Sequence, residues 1–138
     1  MKTIAVLVAM LIGALMQAQT ENTGTINATV SNVIGTEGNV KFGLYSEDTF
    51  MKTAPEYSVK AEIKDGKAIA NFENVPEGTY ALLVMHDKND NGKMDFDANG
   101  MPVENYGSSG TGMSYGPPSW DHSKFEFNGE QKELEIRF

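Results

Sequence analysis

Apolar and polar residues alternate with a period of two along much of this sequence. Ile26, Ala28 and Val30 share a phase, as do Val40, Phe42 and Leu44, and then Tyr57, Val59, Ala61 and Ile63. Successive side chains of a strand point to opposite faces, so each run builds a ribbon with one buried side; a helix, with its period of 3.6, would scatter the same residues around its circumference. Ala68, Ala70 and Phe72 resume the pattern after Asp65-Gly66, the two-residue signal of a primed hairpin turn. A second turn is expected over Asn74-Val75-Pro76-Glu77-Gly78. From Thr79 to Asp87 both alternating sets are apolar, which predicts a central strand covered on two faces. Phe125 and Phe127, a turn at Asn128-Gly129, and Leu134, Ile136 and Phe138 close the series, while Glu47 to Thr53 reads as a short helical or irregular crossover.

These runs predict an all-β fold: a seven-stranded antiparallel β-sandwich, Ig-like or transthyretin-like, with one long Asp/Asn/Gly-rich loop. With 138 residues there is room for one domain and no separate cofactor and substrate lobes. The chain has no cysteine, which excludes a disulfide framework, thiolate metal sites and a cysteine nucleophile.

The first residues do not belong to this frame. Lys2, the apolar run Ile4 to Met16 and the small and polar residues ending Gln17-Ala18-Gln19 have the three-part form of a secretory signal. The run falls short of the roughly 20 residues a spanning helix needs. Cleavage after Ala18 is expected, giving residues 1–18 as signal peptide and 19–138 as the mature single domain, secreted or periplasmic, with no membrane span after cleavage. The formal charge of −8 becomes −9 once Lys2 is removed, leaving 10 basic against 19 acidic residues. Such a surface repels nucleic acid and attracts cations.

Between Asp87 and Ser123 the alternation stops. Structureless connections beyond roughly 12 to 15 residues are uncommon unless functional or disordered, so a site is sought in loop 87–123. Asp87-Lys88-Asn89-Asp90-Asn91-Gly92-Lys93-Met94-Asp95 places side-chain oxygens at relative positions 1, 3, 5 and 9 with glycine at 6, as in the first three-quarters of an EF-hand calcium loop. Alternate residues of a tightly coiled segment point inward, glycine permits the bend, and the Lys93 carbonyl takes position 7. Position 12, where a bidentate glutamate belongs, is Ala98; Asp97 and Glu104 are the second-rank ligands. The expected cofactor is therefore a structural Ca2+ held by Asp87, Asn89, Asn91, Lys93 and Asp95, with Asp97 or Glu104 completing the shell. Two amides among the ligands imply a weak site, with a dissociation constant of about 10⁻⁴ to 10⁻³ M. The competing account is that Asp and Asn at alternate positions merely form Asx-turns.

Other candidates carry less. Gly112-Met113-Ser114-Tyr115-Gly116 spells a nucleophile elbow, but Pro117-Pro118 forbids the helix that must follow it. His86 and His122 are the two histidines; His86 ends a buried strand, where a hydrogen-bonded structural role is the common one. A small hydrolase would need His86 or His122 with a carboxylate such as Asp121, and no nucleophile and base can be read together, so no catalytic residues are assigned. Tyr106, Tyr115 and Trp120 suggest a rival binding module for a glycan or an envelope protein or peptide, although loop aromatics also pin loops to sheets. Asn27-Ala28-Thr29 is a glycosylation sequon inside a strand. A monomer is expected.

Four blocks stand in a fixed order: Asn74-Val75-Pro76-x-Gly78-x-Tyr80-Ala81, His86-Asp87-x-Asn89-x-Asn91-Gly92-Lys93-x-Asp95, Gly100-x-Pro102-x-Glu104-x-Tyr106-Gly107 and Gly116-Pro117-Pro118-Ser119. In these the chain resembles the bacterial secreted family known as domain of unknown function 2141. The resemblance implies a small exported β-sandwich, related in outline to transthyretin-like and carboxypeptidase-regulatory-like modules, without established activity or catalytic residues. It makes Glu104 a stronger candidate as a distant ligand or loop anchor. Ser108-Ser109-Gly110 departs from the family, which usually has an aromatic after Tyr-Gly.

Overall fold

The computed structural model describes residues 20–110 and 116–138; the segment expected to be a signal peptide, Tyr115 and most of the elbow-like motif lie outside the described residues. Eight strands form two sheets: β1 (Thr23–Val30), β2 (Asn39–Tyr45), β3 (Tyr57–Ala61), β4 (Ala68–Pro76), β5 (Gly78–Asp87), β6 (Tyr106–Ser108), β7 (Lys124–Phe127) and β8 (Gln131–Ile136), with one helical turn, α1 (Trp120–Ser123), before β7. One sheet has the order β4-β1-β8 and the other β3-β2-β5-β6, with β7 also on β5. The alternating residues meet between them: Ile26, Ala28 and Val30 face Val40, Phe42, Leu44, Leu82 and Val84 in one buried cluster. Truncating Phe42 or Leu44 to alanine would cost about 2 to 5 kcal/mol. Among the described residues no helix is long and apolar enough to cross a membrane.

The all-β sandwich follows the sequence pattern, and three details differ from the expectation. An eighth strand, β6, lies inside the long loop, paired with β5 through Leu83↔Ser108 and Met85↔Tyr106. The pairing is not wholly antiparallel: β1 and β8 run parallel from Thr25↔Gln131 to Val30↔Ile136. A parallel pair needs a long crossover, and here the rest of the domain supplies it. Asparagines extend that seam beyond the strands, with Asn22 Nδ2 donating to the Asn128 carbonyl at 2.7 Å and Asn32 Nδ2 to the Phe138 carbonyl at 2.9 Å.

The third difference concerns the turns. Asp65 and Gly66 take positive φ, and Lys64 and Lys67 exchange both backbone hydrogen bonds, so the primed turn is present. Yet pairing stops at that bridge, since β3 ends at Ala61 in one sheet and β4 enters the other. Ile63 instead packs against the core. The Pro76–Gly78 and Asn128–Gly129 turns likewise join strands of different sheets. At the former, the Tyr80 hydroxyl donates to the Pro76 carbonyl at 2.8 Å, a tyrosine corner that fixes the sheet-to-sheet step. Burial foremost, then Tyr57, Glu56 and Glu21, raise its phenol pKa.

Strand β5 is central, as its two apolar sets require, with β2 along one edge and β6 and β7 end to end along the other. Glu47–Thr53 is a helical turn, begun by Phe50 N–H donating to the Ser46 carbonyl at 2.9 Å. At Gly107 the two sheets close: a Cβ there would meet the Arg137 carbonyl and the Ile136 side chain. The last residue of β5, Asp87, starts the loop from a fully buried position.

Candidate functional site

Asp87 leaves the sheet with its carboxylate turned onto the loop it begins. Oδ1 accepts the Asn91 N–H at 3.2 Å and Oδ2 accepts the Gly92 N–H at 2.9 Å. The carboxylate at position 1 thus binds the backbone of positions 5 and 6 and curls the segment around itself. Gly92 makes this possible with φ 82°, a region most side chains avoid. Asn89 Oδ1 accepts the Asn91 N–H at 3.3 Å, and Asn91 Oδ1 accepts the Lys93 N–H at 3.1 Å, which are Asx-turns.

The amide nitrogens of the same asparagines point at Asp95. Asn89 Nδ2 donates to Asp95 Oδ2 at 2.7 Å, and Asn91 Nδ2 donates to Oδ1 at 2.7 Å and to Oδ2 at 3.0 Å. The Asn91 and Asn89 donors hold the Asp95 carboxyl below its ordinary pKa. Sequence positions 1, 3, 5 and 9 are therefore drawn together, and Lys93 at position 7 is tied in through its backbone. In this conformation the asparagine oxygens serve the backbone while their N–H groups face the carboxylate. Among the described residues no three His, Asp or Glu side chains stand in a ready metal-ligating array. A dication would need both amides to turn over, a rotation about one side-chain bond that exchanges Nδ2 for Oδ1.

The two second-rank residues separate. Asp97 Oδ1 accepts the Asn99 N–H at 2.8 Å and the Met101 N–H at 3.0 Å, in an exposed turn of its own. That turn closes a small ribbon bridged at Phe96↔Pro102, in which the Val103 N–H donates to the Asp95 carbonyl at 2.9 Å. The ribbon returns the chain and delivers Glu104 to the start of the loop. Glu104 is 6% exposed; its Oε1 accepts the Lys88 N–H at 3.3 Å, and its Oε2 is buried without a donor, beside the Asp95 carboxyl. Burial, with Asp95 and then Asp87 facing it, raises the Glu104 pKa. The Phe96–Pro102 ribbon stands where an EF-hand would reach its twelfth residue; Asp97 shapes that ribbon, and Glu104 comes after it.

Two basic residues come from the sheet. Lys41 Nζ lies 3.6 Å from Asp87 Oδ2, and Lys60 pairs with Asp90 Oδ1 at 2.6 Å. Asp90 also accepts from Asn39 Nδ2 at 2.9 Å, and the Lys60 and Asn39 bonds lower its pKa. Sequence reasoning missed Lys41, Lys60 and Asn39. No local motif marks them; only the register Lys41↔Lys60 and Asn39↔Asp87 brings them to the loop.

The remaining candidates are dispersed. Trp120 is half-buried, edge-on to Phe50 with centroids 5.7 Å apart, and Phe50 meets Tyr45 in the same way at 6.0 Å. Tyr45 lies opposite Ala81 and Tyr106 opposite Met85, which sets them roughly 13 Å apart along β5. His86 is buried; its Nε2–H donates to the Glu37 carbonyl at 2.7 Å and its ring stacks on Phe138. His122 is exposed, with Nδ1 2.7 Å from Ser119 Oγ, and Asp121 pairs with Lys124 at 3.3 Å, not with His122. Asn27 of the sequon donates to Glu133 at 2.8 Å across the β1–β8 seam.

No curated protein matches the chain, and no solved structure does. Residues 28–135, which include all four sequence blocks and the whole loop, match the family described as uncharacterized protein conserved in bacteria (DUF2141). That match covers well over half of the sequence, so the chain belongs to this bacterial family of uncharacterized proteins.

Proposed function

We propose that this chain is an exported, non-enzymatic β-sandwich whose loop 87–104 is organised by a structural calcium ion. Asp87, Asn89, Asn91, the Lys93 carbonyl, Asp95 and Glu104 are its ligands. The observation that carries this reading is the buried Oε2 of Glu104, which receives no donor and stands beside the Asp95 carboxyl with Asp87 near, a pairing that needs a shared proton or a cation. A buried carboxylate oxygen without a donor is costly, and three carboxylates close together repel one another; a hard dication with oxygen ligands relieves both. Asx-turns alone explain the asparagine oxygens but not why Glu104 is brought back to this place.

The ion does for a loop what a small core cannot. At millimolar calcium, about 1 to 10 times its dissociation constant, binding adds about 0.4 to 1.4 kcal/mol to stability, roughly 2 to 5 °C in melting temperature for a domain of this size. Export follows from the N-terminal segment, and millimolar calcium outside the cytoplasm suits a weak site. The test is thermal unfolding of the mature protein after chelation, with and without millimolar calcium. A rise of about 2 to 5 °C supports the ion site, superimposable curves reject it, and mass analysis of the exported protein checks the cut before Gln19.

A further inference from the structure

The outer face of the β3-β2-β5 layer meets the loop at Lys41. This residue sits between the buried Val40 and Phe42 of β2 and turns away from the core, opposite Met85 of β5 and Lys60 of β3. Asp87 follows Met85 by two positions, so its side chain shares that face. The Lys41 side chain is 32% exposed, its stem along the sheet and its ammonium 3.6 Å from a carboxylate with no exposure at all. Gly92 leaves it room, for a Cβ there would stand 3.1 Å from Nζ. Lys60, the other ammonium on this side, is engaged by Asp90.

We propose that Lys41 sets the affinity of this site: its ammonium partly neutralises Asp87 when no ion is bound and opposes the ion when one is. The inference rests on the calcium reading above, whose sign of a cation is the buried Glu104 Oε2 that receives no donor beside the same cluster. An ion within roughly 2.3 to 2.6 Å of Asp87 Oδ2 lies no more than about 6 Å from Lys41 Nζ. Both halves of the cycle act in one direction. Without the ion, Lys41 stabilises the competing state; with it, a monocation faces a dication across a single carboxylate. Lys41 occupies no ligand position itself; it sets affinity through its ion pair with Asp87 and through the field at the ion.

The experiment is calorimetric titration of the mature protein with calcium chloride, for wild type, Lys41→Met and Lys41→Arg, with melting temperatures in chelator and in calcium. The methionine variant should bind about tenfold more tightly. That factor equals about 1.4 kcal/mol, the repulsion of charges +1 and +2 at roughly 6 Å in water. The arginine variant, which keeps the charge, should bind as wild type does. In chelator Lys41→Met should melt lower than wild type, and its calcium-induced rise should be larger. A residue with a purely structural role would lower both melting temperatures equally and leave the rise unchanged, and that result overturns the proposal. Lys41→Gln serves the same test if the methionine variant does not fold. Wild-type protein that binds no calcium overturns the metal reading and this inference together, whereas equal affinities of wild type and Lys41→Met overturn this inference alone.

Discussion

Asp87 and Asp97 begin two successive turns of one loop, and each carboxylate accepts two backbone N–H groups. By sequence and by turn chemistry they are alike. They differ in surroundings: Asp97 is exposed, while Asp87 is wholly buried beside Lys41, with the Glu104 carboxyl facing it. Water can solvate what Asp97 leaves unbonded, and no ion is needed there. At Asp87 water is shut out, so charge must be balanced by fixed groups or by a bound cation. The same short polar motif is thus an exposed turn in one place and, in the other, a buried carboxylate for which we propose a calcium ion.

The largest effect should come from Asp87→Ala. It removes two hydrogen bonds to a buried carboxylate and leaves the Lys41 ammonium without its partner, a loss of about 3 kcal/mol in chelator. Chemical denaturation measures it, and the calcium-induced rise in melting temperature should vanish. If Asp87→Ala responded to calcium as wild type does, the contrast between the two aspartates would collapse.

Glu104→Gln sharpens the contrast because its two effects have opposite sense. The amide oxygen can still accept the Lys88 N–H, while the charge facing Asp95 and Asp87 is gone. In chelator the variant should melt at or above the wild-type temperature; in calcium it should show little further rise. A variant that is merely destabilised under both conditions would make Glu104 a loop anchor and not a ligand.

A smaller effect is expected in the pH dependence of the metal-free protein. Burial, then Asp95 and Asp87, hold the Glu104 pKa above its unfolded value. Its contribution to stability is then fully present below the unfolded pKa and is lost as pH rises through the folded one. Unfolding of wild type and Glu104→Gln in chelator across that acidic window should diverge, with wild type losing ground as pH rises. Asp95, whose pKa is lowered by Asn91, Asn89 and, less, by Glu104 itself, works in the other sense, so the difference between the two proteins reports Glu104 together with its coupling to Asp95. Parallel curves would mean that Glu104 is not charged against its neighbours.

Much of the frame was legible because strand alternation is a local property: β1, β2, β4 and β5 fall where the period-two runs place them. The turn residues were legible too, since Asp65-Gly66 adopts the backbone its letters specify. Which strands then pair was not. A turn motif fixes a reversal of direction, but whether the two arms stay together or part into opposite layers depends on the far partners, such as β1 for β4 and β2 for β3. The parallel β1–β8 seam likewise joins residues 106 positions apart in the sequence, as Thr25↔Gln131. In the loop, the meeting of Asp87, Asn89, Asn91 and Asp95 could be read from spacing, whereas the return of Glu104 and the separate turn at Asp97 follow from the Phe96–Pro102 ribbon, and Lys41 required the register of β2 on β5.

Asp97→Ala should give the smallest effect, and it is the control that gives the comparison meaning. Its carboxylate holds only the Asn99 and Met101 N–H groups, both exposed, so water can take its place at a cost of about 1 kcal/mol or less. The calcium-induced rise should stay close to that of wild type, because the ribbon is also closed by backbone bonds between Asp97 and Met101 and between Val103 and Asp95. Loss of the calcium response with full retention of folding would mean that Asp97, one of the two residues considered for the late carboxylate position, reaches the ion after all. Glu104 would then be the anchor, and the buried oxygen it brings into the cluster would need a donor from elsewhere in the loop.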